Sequence, residues 1–396
     1  MAQGIPAGYK QTEIGVIPYD WRVTTLNCVA TRITDGDHAT PMRSKHGHYL
    51  LSARNVMNGR LDLSDVDYVG NEEFKRMRER CSPDFGDVLI SCSGTIGRVA
   101  SVPADIRCVL VRSVALVKLN NNIVCGKFVQ YWLQGCTAQR QIDASVNQGA
   151  QPNLFLNHIE RIPLLVPPLR EQRAITDALG DVDALLGALD RLIAKQRNLK
   201  QASMQQLLTG RTRLPGFADE WVVRRLGDVA RIKTGSRNNE NKVNNGRYPF
   251  FVRSEIVERI NTYAYDCEAI LVPGEGRIGD IFHYVNGRFD VHQRVYAITS
   301  FAPSVYARFV HFYLAQYFGS WAMQNTVKAT VDSLRLPTFQ NFQMYIPSTV
   351  AEQSAIATVL SDMDAEIAAL EARRAKTCHL KQAMMQELLT GKTRLV

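Results

Sequence analysis

Residues 171–214 read EQRAITDALGDVDALLGALDRLIAKQRNLKQASMQQLLTGRTRL, and a closely similar sequence returns at residues 352–395. The second stretch reads EQSAIATVLSDMDAEIAALEARRAKTCHLKQAMMQELLTGKTRL. The two align without a gap at an offset of 181, and 25 of the 44 positions are identical. Chance does not produce such agreement, so the chain carries a duplicated segment, and its fold follows from what surrounds each copy.

Both copies have the apolar spacing of a long helix. Apolar residues step alternately by 4 and 3 positions, a period of 3.5 that is typical of two helices packed side by side. These seam positions are Ile175, Leu179, Val182, Leu186, Leu189 and Ile193 in the first copy, and Ile356, Leu360, Met363, Ile367 and Leu370 in the second. Gly210 and Gly391 follow the apolar run, where glycine commonly ends a helix. The alternative is that each helix packs on its own globular domain.

The segments between the copies resemble each other only weakly. Residues 20–30 echo residues 220–230 around a tryptophan, and residues 87–97 echo residues 269–279, where an apolar strand runs into a glycine turn. The sequence therefore predicts an α+β fold with two related but diverged globular domains. We expect the first globular domain at 1–165 and its helix at 166–214, followed by the second domain at 215–346 and its helix at 347–396.

Composition narrows the class of protein. The 396 residues are 45% hydrophobic and 21% charged, which fits packed cores rather than disorder. No run approaches the roughly 18–20 apolar residues that span a bilayer, and the N-terminus does not look like a signal peptide. These features predict a cytoplasmic protein without a membrane segment. The eight cysteines form no C-x-x-C pair, which favours buried free thiols over disulfides or a zinc site.

Two segments resemble nucleotide-binding motifs, but the sequence around each does not fit the structure that the motif requires. Residues 274–279 match G-x-G-x-x-G, but a β-like run follows where a dinucleotide site needs a helix, so we expect a strand–turn–strand. Gly391-Lys392-Thr393 resembles the end of a phosphate-binding loop but follows a predicted helix. The sequence carries no recognisable nucleophile, zinc-protease or amino-methyltransferase motif. These observations predict a chain without catalysis, cofactor or metal of its own.

Basic and amide side chains on turn-rich segments are the remaining candidates for function. The net charge of +9 is spread along the chain without a polybasic tail, and it hints at a polyanionic partner. Arginine pairs well with guanine and Asn or Gln with adenine, while Lys and Ser hold phosphates. The predicted DNA-binding residues are Arg43, Lys45, Arg54, Asn55, Arg98, Asn147, Gln148, Gln151, Lys233, Ser236, Arg237, Asn238, Arg253, Arg277, Gln293, Arg294, Lys328 and Arg335.

The duplicated block and the opening at residues 12–21, TEIGVIPYDW, resemble the specificity subunit of type I restriction–modification systems. The resemblance covers essentially the whole chain, although the second domain opens differently, with LPGFADEW at residues 214–221. It implies two pseudo-symmetric target-recognition domains separated by two helices that form an antiparallel coiled coil. Each domain would bind one half of a split double-stranded DNA target.

The same resemblance implies the partners. The helices would dock two modification (methyltransferase) subunits, which restriction subunits then join. S-adenosylmethionine and ATP would bind those partners rather than this chain. Two other classes stay open from the residues alone: a self-sufficient DNA-modifying enzyme, and a protein scaffold that makes no DNA contact.

Overall fold

The structure is a computed structural model that describes residues 5–146, 152–325 and 333–395. The chain divides into two compact units. The first unit comprises Met1–Ala188 and Arg373–Val396, and the second comprises Leu189–Ala372. Each unit therefore contains one globular domain together with part of each duplicated segment.

The first globular domain is mixed α+β. Its helices in the described residues are α1 (Leu26–Val29), α2 (Asn71–Arg80), α3 (Gly126–Gln134), α4 (Cys136–Ser145) and α5 (Leu156–Glu160). Its strands there are β1 (Tyr9–Thr12), β2 (Gly15–Pro18), β3 (Arg22–Thr25), β4 (Ala30–Asp35), β5 (Arg43–Ser44), β6 (His48–Leu51), β7 (Val56–Met57), β8 (Arg60–Leu61), β9 (Asp67–Val69), β10 (Val88–Ser91), β11 (Val99–Ser101), β12 (Cys108–Leu110), β13 (Val114–Leu119) and β14 (Pro163–Val166).

The long helix α6 (Leu169–Leu207) follows and leads into the second globular domain. The described helices of that domain are α7 (Leu226–Val229), α8 (Ala307–Gln324) and α9 (Leu336–Gln340), before the long helix α10 (Val350–Leu389). Its described strands are β15 (Trp221–Arg225), β16 (Arg231–Thr234), β17 (Tyr248–Phe251), β18 (Glu258–Ile260), β19 (Tyr265–Pro273), β20 (His283–Val291), β21 (Val295–Thr299) and β22 (Gln343–Pro347).

The two domains share a central set of strand pairings. In the first, β11-β10-β13-β4 form one sheet and β12-β6-β9-β5 another, with β12 parallel to β6. In the second, β16-β21-β19-β20-β17-β18 form a single sheet, in which β17 runs parallel to the end of β20. The segment at residues 274–279 connects the antiparallel strands β19 and β20, so the predicted strand–turn–strand is confirmed.

Apolar runs form the central strands because both of their faces are covered. Val88 and Ile90 of β10 join the main core of the first domain, whereas Leu89 faces a second core with Leu51 and Val56. The matching strand β19 divides its residues between two cores in the same way. A continuous run of large apolar residues is the sequence pattern expected for a strand buried on both faces.

The two long helices pack against each other in antiparallel orientation. Within the second unit, Gln196 contacts Glu366 (2.8 Å) and Lys200 contacts Asp364 (2.5 Å), so partners descend along α10 as they ascend along α6. Within the first unit, Asp183 of α6 pairs with Lys381 of α10 at 2.6 Å. The pairs 183–381 and 364–200 occupy the same places in the two copies, which is the arrangement that an antiparallel coiled coil of two repeats requires.

The ends of the helices also belong to the cores of the globular domains. Ile175 and Leu179 lie in the first core together with Leu388 and Leu389 from the far end of α10. Ile356 and Leu360 lie in the second core together with Leu207 and Leu208 from the end of α6. Among the other predicted seam positions, Leu189, Ile193 and Ile367 are buried and Val182, Leu186, Met363 and Leu370 are half-buried. Packing on a globular domain and packing of helix on helix therefore occur together.

A buried carboxylate joins three segments at the start of α6. Glu171 is fully buried, and its carboxylate accepts hydrogen bonds from the Trp21 indole (2.9 Å) and from the Arg394 guanidinium (2.5 and 2.8 Å). The Arg394 guanidinium also donates hydrogen bonds to the Asp20 carboxylate, so its positive charge lies between two carboxylates. We call the contact among Glu171, Trp21 and Arg394 the first junction.

The same contact recurs at the start of α10 and forms the second junction. Glu352 is fully buried and accepts hydrogen bonds from Arg213 (2.5 and 2.7 Å) and from the Trp221 indole (3.4 Å). In each junction the glutamate begins one copy of the duplicated segment and the arginine ends the other copy. The repeated EQ…TRL pattern thus pairs the start of each copy with the end of its counterpart.

Two glycines allow the helix ends to reach these junctions. Gly210 and Gly391 both adopt left-handed backbone conformations, with φ of 69° and 72°. A Cβ at Gly391 would lie 2.5 Å from Cδ of Pro18, and one at Gly210 would lie 3.3 Å from the Trp221 ring. The predicted helix ends are confirmed, and close packing adds a second reason for glycine beyond the turn itself.

None of the described helices is both long and apolar enough to cross a membrane. The eight cysteines are free thiols, but the expectation that they are buried is wrong for Cys28 and Cys136, which are exposed. Both lie in short helical segments at the surface, where a thiol can face solvent.

Removing Arg394 tests the first junction. We expect Arg394→Ala to lower the free energy of unfolding of the first unit by about 2 kcal/mol, because the buried Glu171 carboxylate loses its charged hydrogen bonds. Urea denaturation measures this loss. Lys392→Ala, in the same turn but exposed and 3.9 Å from its Glu387 partner, is the matched control and should change stability little. Equal effects of the two substitutions would contradict the structural role of the junction.

His311 makes the second unit sensitive to acid. Burial lowers the pKa of His311 to about 4, and its Nε2 donates to the Phe282 carbonyl while Nδ1 is buried without a partner among the described atoms. Between pH 6.5 and 4 the unfolded chain therefore binds a proton that the folded unit does not. Stability should fall across that window, by up to about 3 kcal/mol, and be independent of His311 above it.

Urea unfolding of the second unit at pH 7.5 and pH 4.5 measures this dependence. In His311→Asn the loss between the two pH values should be smaller than in the parent chain. The exposed His46, in the first domain, provides the control substitution His46→Asn, which should leave the loss unchanged. An identical pH dependence in His311→Asn and the parent would contradict the assignment.

Candidate nucleic-acid interface

Four connections of the second domain meet at one edge of its sheet. Three of them are the segments that follow β16, β17 and β19, and the fourth is the turn between β20 and β21. Backbone hydrogen bonds tie them together: His292 N donates to Phe251 O (3.0 Å), Gln293 N to Arg237 O (2.8 Å), and Gly274 N to Arg294 O (2.8 Å). We call this surface the loop edge of the second domain.

The loop edge gathers arginines around acidic side chains. Glu275 pairs with Arg294 at 2.9 Å through one carboxylate oxygen and with Arg253 at 3.3 Å through the other. Arg277 pairs with Glu255 (3.0 Å) and Asp280 (3.3 Å). Three predicted residues that are separated in the sequence, Arg253, Arg277 and Arg294, therefore come together in the fold.

The buried His292 holds the backbone of this arginine cluster. The side chain is buried, and its Nδ1 accepts a hydrogen bond from the backbone N–H of Arg294 (3.0 Å). Burial, together with the positive charges of Arg253 and Arg294, lowers the pKa of His292. A neutral imidazole with a free Nδ1 lone pair is the form that holds the turn bearing Arg294.

Other predicted residues of the second domain lie at or near the same edge. Arg237 is half-buried and pairs with the buried Asp290 (3.1 Å), so its guanidinium anchors the loop. Arg335 follows Leu334, whose N–H donates to the Gly274 carbonyl (2.8 Å). The exposed predicted side chains here are Lys233, Ser236, Asn238, Gln293 and Arg335.

The first domain distributes its predicted residues differently. Arg43 and Arg54 converge on Asp67, at 3.2 and 3.1 Å, along the edge formed by β5 and β9. Lys45, two residues after Arg43, is exposed. Arg98 is half-buried in the β10–β11 connection, where its guanidinium lies 3.0 Å from the Met57 sulfur, so it does not join the other two.

The prediction for Asn55 is wrong. Its side chain is only 1% exposed, and it caps a single 3₁₀ turn at Ala53–Asn55. The Oδ1 atom accepts from the Ser52 backbone (3.0 Å), while Nδ2 donates to the carbonyls of Asp62 and Asp65 (3.0 Å each). An amide whose donors and acceptor are used inside the fold has none left for a base.

The first domain has a matching loop edge, formed by the connections after β4, β6 and β10 and the turn between β12 and β13, on the same backbone frame. Gly36 N donates to Val114 O (3.2 Å) in the first domain, as Gly235 N does to Val295 O (3.1 Å) in the second. By this correspondence the exposed Arg112 takes the place of Gln293. Sequence reasoning missed Arg112, although aligning residues 110–114 with 291–295 would have identified it. Glu275 and His292 were also missed, because the predicted residues were limited to basic, amide and hydroxyl side chains.

Four predicted residues, Asn147, Gln148, Gln151 and Lys328, lie outside the described residues. Within the described part of the chain, no group of three or more His, Cys, Asp or Glu side chains is placed to hold a metal ion.

This architecture defines a class: two related domains that present charged loop edges and alternate with two long paired helices. The family model for the type I restriction modification DNA specificity domain matches the chain twice, at residues 44–195 and 218–377. These matches cover most of the sequence, one for each globular domain with part of its helix. The chain belongs to this family of specificity domains.

Known relatives and solved structures agree with that membership. The chain is 26% identical over 430 residues to the putative type I restriction enzyme MjaX specificity subunit of Methanocaldococcus jannaschii, covering 98% of this chain and 97% of the relative. It is 28% identical over 179 residues to the EcoDI specificity subunit of Escherichia coli, covering 43% of this chain and 37% of the relative.

Among solved structures, the type I restriction–modification S subunit from M. genitalium matches with a TM-score of 0.65 at 15% identity. That match covers 93% of this chain and 96% of the other. A chain from a type I R-M system, solved to explain complex assembly and conformational transition, matches with a TM-score of 0.56 at 17% identity, over 95% and 99% of the two chains. At these identities the likeness establishes the shared fold, so the predicted architecture of two domains and paired helices is confirmed.

Proposed function

We propose that this chain selects the DNA target of a type I restriction–modification complex in the cytoplasm. Each globular domain binds one half of a split double-stranded target through its loop edge. The paired helices fix the distance between the half-sites and dock two modification subunits, which restriction subunits join. The chain itself has no catalytic activity, and S-adenosylmethionine and ATP bind the partner subunits.

One observation carries the proposal: the two loop edges share a backbone frame but differ in their side chains. At corresponding places the second domain has Glu275 and Arg294, where the first has Ser93 and Ser113. A common frame with different polar groups is what two domains need to bind different base sequences in a similar way. Family membership supports the same function.

The paired helices support the docking role. Each copy is constrained at both ends by a buried junction, yet between the junctions each helix presents exposed side chains, among them Leu192 and Leu199 on α6 and Leu380 on α10. Two closely similar helical copies suit two identical partner subunits, because a repeated surface can bind the same partner twice.

Methylome sequencing of cells that carry the system tests the proposal. The expected result is a methylated target in two parts separated by a fixed gap, and its loss when this chain is deleted. An undivided target, or methylation that persists after deletion, would contradict the proposed role.

Arg294→Ala should weaken binding of the assembled complex to its target by about 5- to 150-fold, because one base contact is worth about 1–3 kcal/mol. Gel-shift titration of the chain co-purified with its modification subunits measures this. The control is Arg224→Ala, which removes the same charge from an exposed position on β15, in a different sheet. Co-purification of the subunits should be normal in both variants, and equal target affinity in both would remove Arg294 from the interface.

The purified chain alone should neither transfer methyl groups from S-adenosylmethionine to DNA nor cleave DNA. Radiolabelled methyl incorporation and plasmid cleavage, each with and without the modification and restriction subunits, measure this. Activity in the chain alone would support the rival class of a self-sufficient enzyme.

A further inference from the structure

Glu275 is an unusual residue to place on a surface that binds DNA. A carboxylate near the phosphates of a duplex is repelled by them, and it gains binding energy only from a hydrogen-bond donor. In the major groove the bases offer two such donors, the amino groups of cytosine (N4) and adenine (N6). The geometry around Glu275 decides between them.

The carboxylate is held between two guanidinium groups. Arg294, 58% exposed, bonds one oxygen of Glu275, and Arg253 bonds the other, while Glu275 itself is 21% exposed. The three side chains come from three different connections, and Gly274 N–H…O=C Arg294 fixes two of these connections to each other. A cavity of about 370 Å³ opens beside them, lined by residues that include Asn239, Lys242 and Ser254.

We propose that Arg294 and Glu275 together recognise a guanine–cytosine base pair within the half-site of the second domain. Arg294 donates two hydrogen bonds to N7 and O6 of guanine, and Glu275 accepts one from N4 of the paired cytosine. Arg253 stays with the second carboxylate oxygen and keeps the charge of Glu275 compensated. This assignment rests on the proposed function.

The pattern of the base edges favours this pair over adenine–thymine. Guanine presents two adjacent acceptors that match the fork of an arginine, and the donor of cytosine follows on the same edge. Adenine–thymine places a donor between two acceptors, so an arginine forms only one hydrogen bond with adenine N7 before meeting the amino group.

The first domain provides an internal comparison. On the same backbone frame, Ser93, Ser113 and Ala53 stand where the second domain has Glu275, Arg294 and Arg253, and Ser113 Oγ accepts from the Ala53 N–H (3.1 Å). The charged set is therefore a feature of one domain, and the frame does not require it.

The test measures discrimination at single base pairs. The chain is co-purified with its modification subunits and titrated against duplexes that carry the target, each with one base pair of a half-site replaced. We expect Glu275→Gln and Arg294→Ala to lose about 5- to 150-fold of discrimination at the same guanine–cytosine pair, with the profile at other positions unchanged. Asp266→Asn, which neutralises an exposed carboxylate paired with Arg288 at 2.9 Å near the start of β19, away from the loop edge, is the matched control and should keep the parental profile.

Several results would overturn the assignment. They are an unchanged profile for Glu275→Gln, a uniform loss at every position, a change confined to an adenine–thymine pair, and effects of the two variants at different base pairs. Thermal unfolding of each variant checks that the second unit stays folded. If the parental complex shows no preference at any position, the proposed function fails; if only Glu275→Gln is silent, the further inference fails alone.

Discussion

The structure depends on a buried carboxylate at the start of each long helix. Glu171 and Glu352 are fully buried, and a buried charge without partners is too costly for a folded protein. Each is compensated by a tryptophan indole from the entry of the domain and by an arginine that ends the other copy of the repeat. The buried glutamate is therefore compensated only when the helix, the start of the domain and the end of the other copy are folded together.

This constraint accounts for the pattern of the duplication. The glutamine after each glutamate also joins its helix to the adjacent domain. The side chain of Gln172 accepts a hydrogen bond from the Cys125 N–H and donates one to the Pro167 carbonyl. Gln353 does the same with the Tyr306 N–H and the Pro347 carbonyl. These contacts fix the residues at both ends of each copy. The globular domains, held by backbone pairing and apolar burial, leave their loop edges free to differ, and the two sets of loops do differ.

Much of the fold could be predicted because its signals are local. The 3.5-residue period predicts two paired helices, the glycines at 210 and 391 predict where they end, and the apolar runs at β10 and β19 predict buried strands. The pairing of the start of each copy with the end of the other copy could not be predicted, because the periodicity does not show which helix end packs on which domain. Site residues were harder for the same reason: in the sequence Asn55 looks like any loop amide, and only the structure shows that the Ser52 N–H and the carbonyls of Asp62 and Asp65 occupy its side chain.

The loop edges also show why a count of basic residues describes such a surface poorly. Arg43 and Arg54 share Asp67, and Arg253 and Arg294 share Glu275, so much of the local charge is compensated before DNA arrives. If DNA binds at the loop edges as we propose, these arginines exchange their carboxylate partners for phosphates or bases. Specificity is a difference between affinities, and a carboxylate on the surface lowers binding to any duplex that does not place an amino donor within its reach. A modest surplus of +9, with arginines held by acidic partners, therefore suits a protein that must reject most DNA it meets.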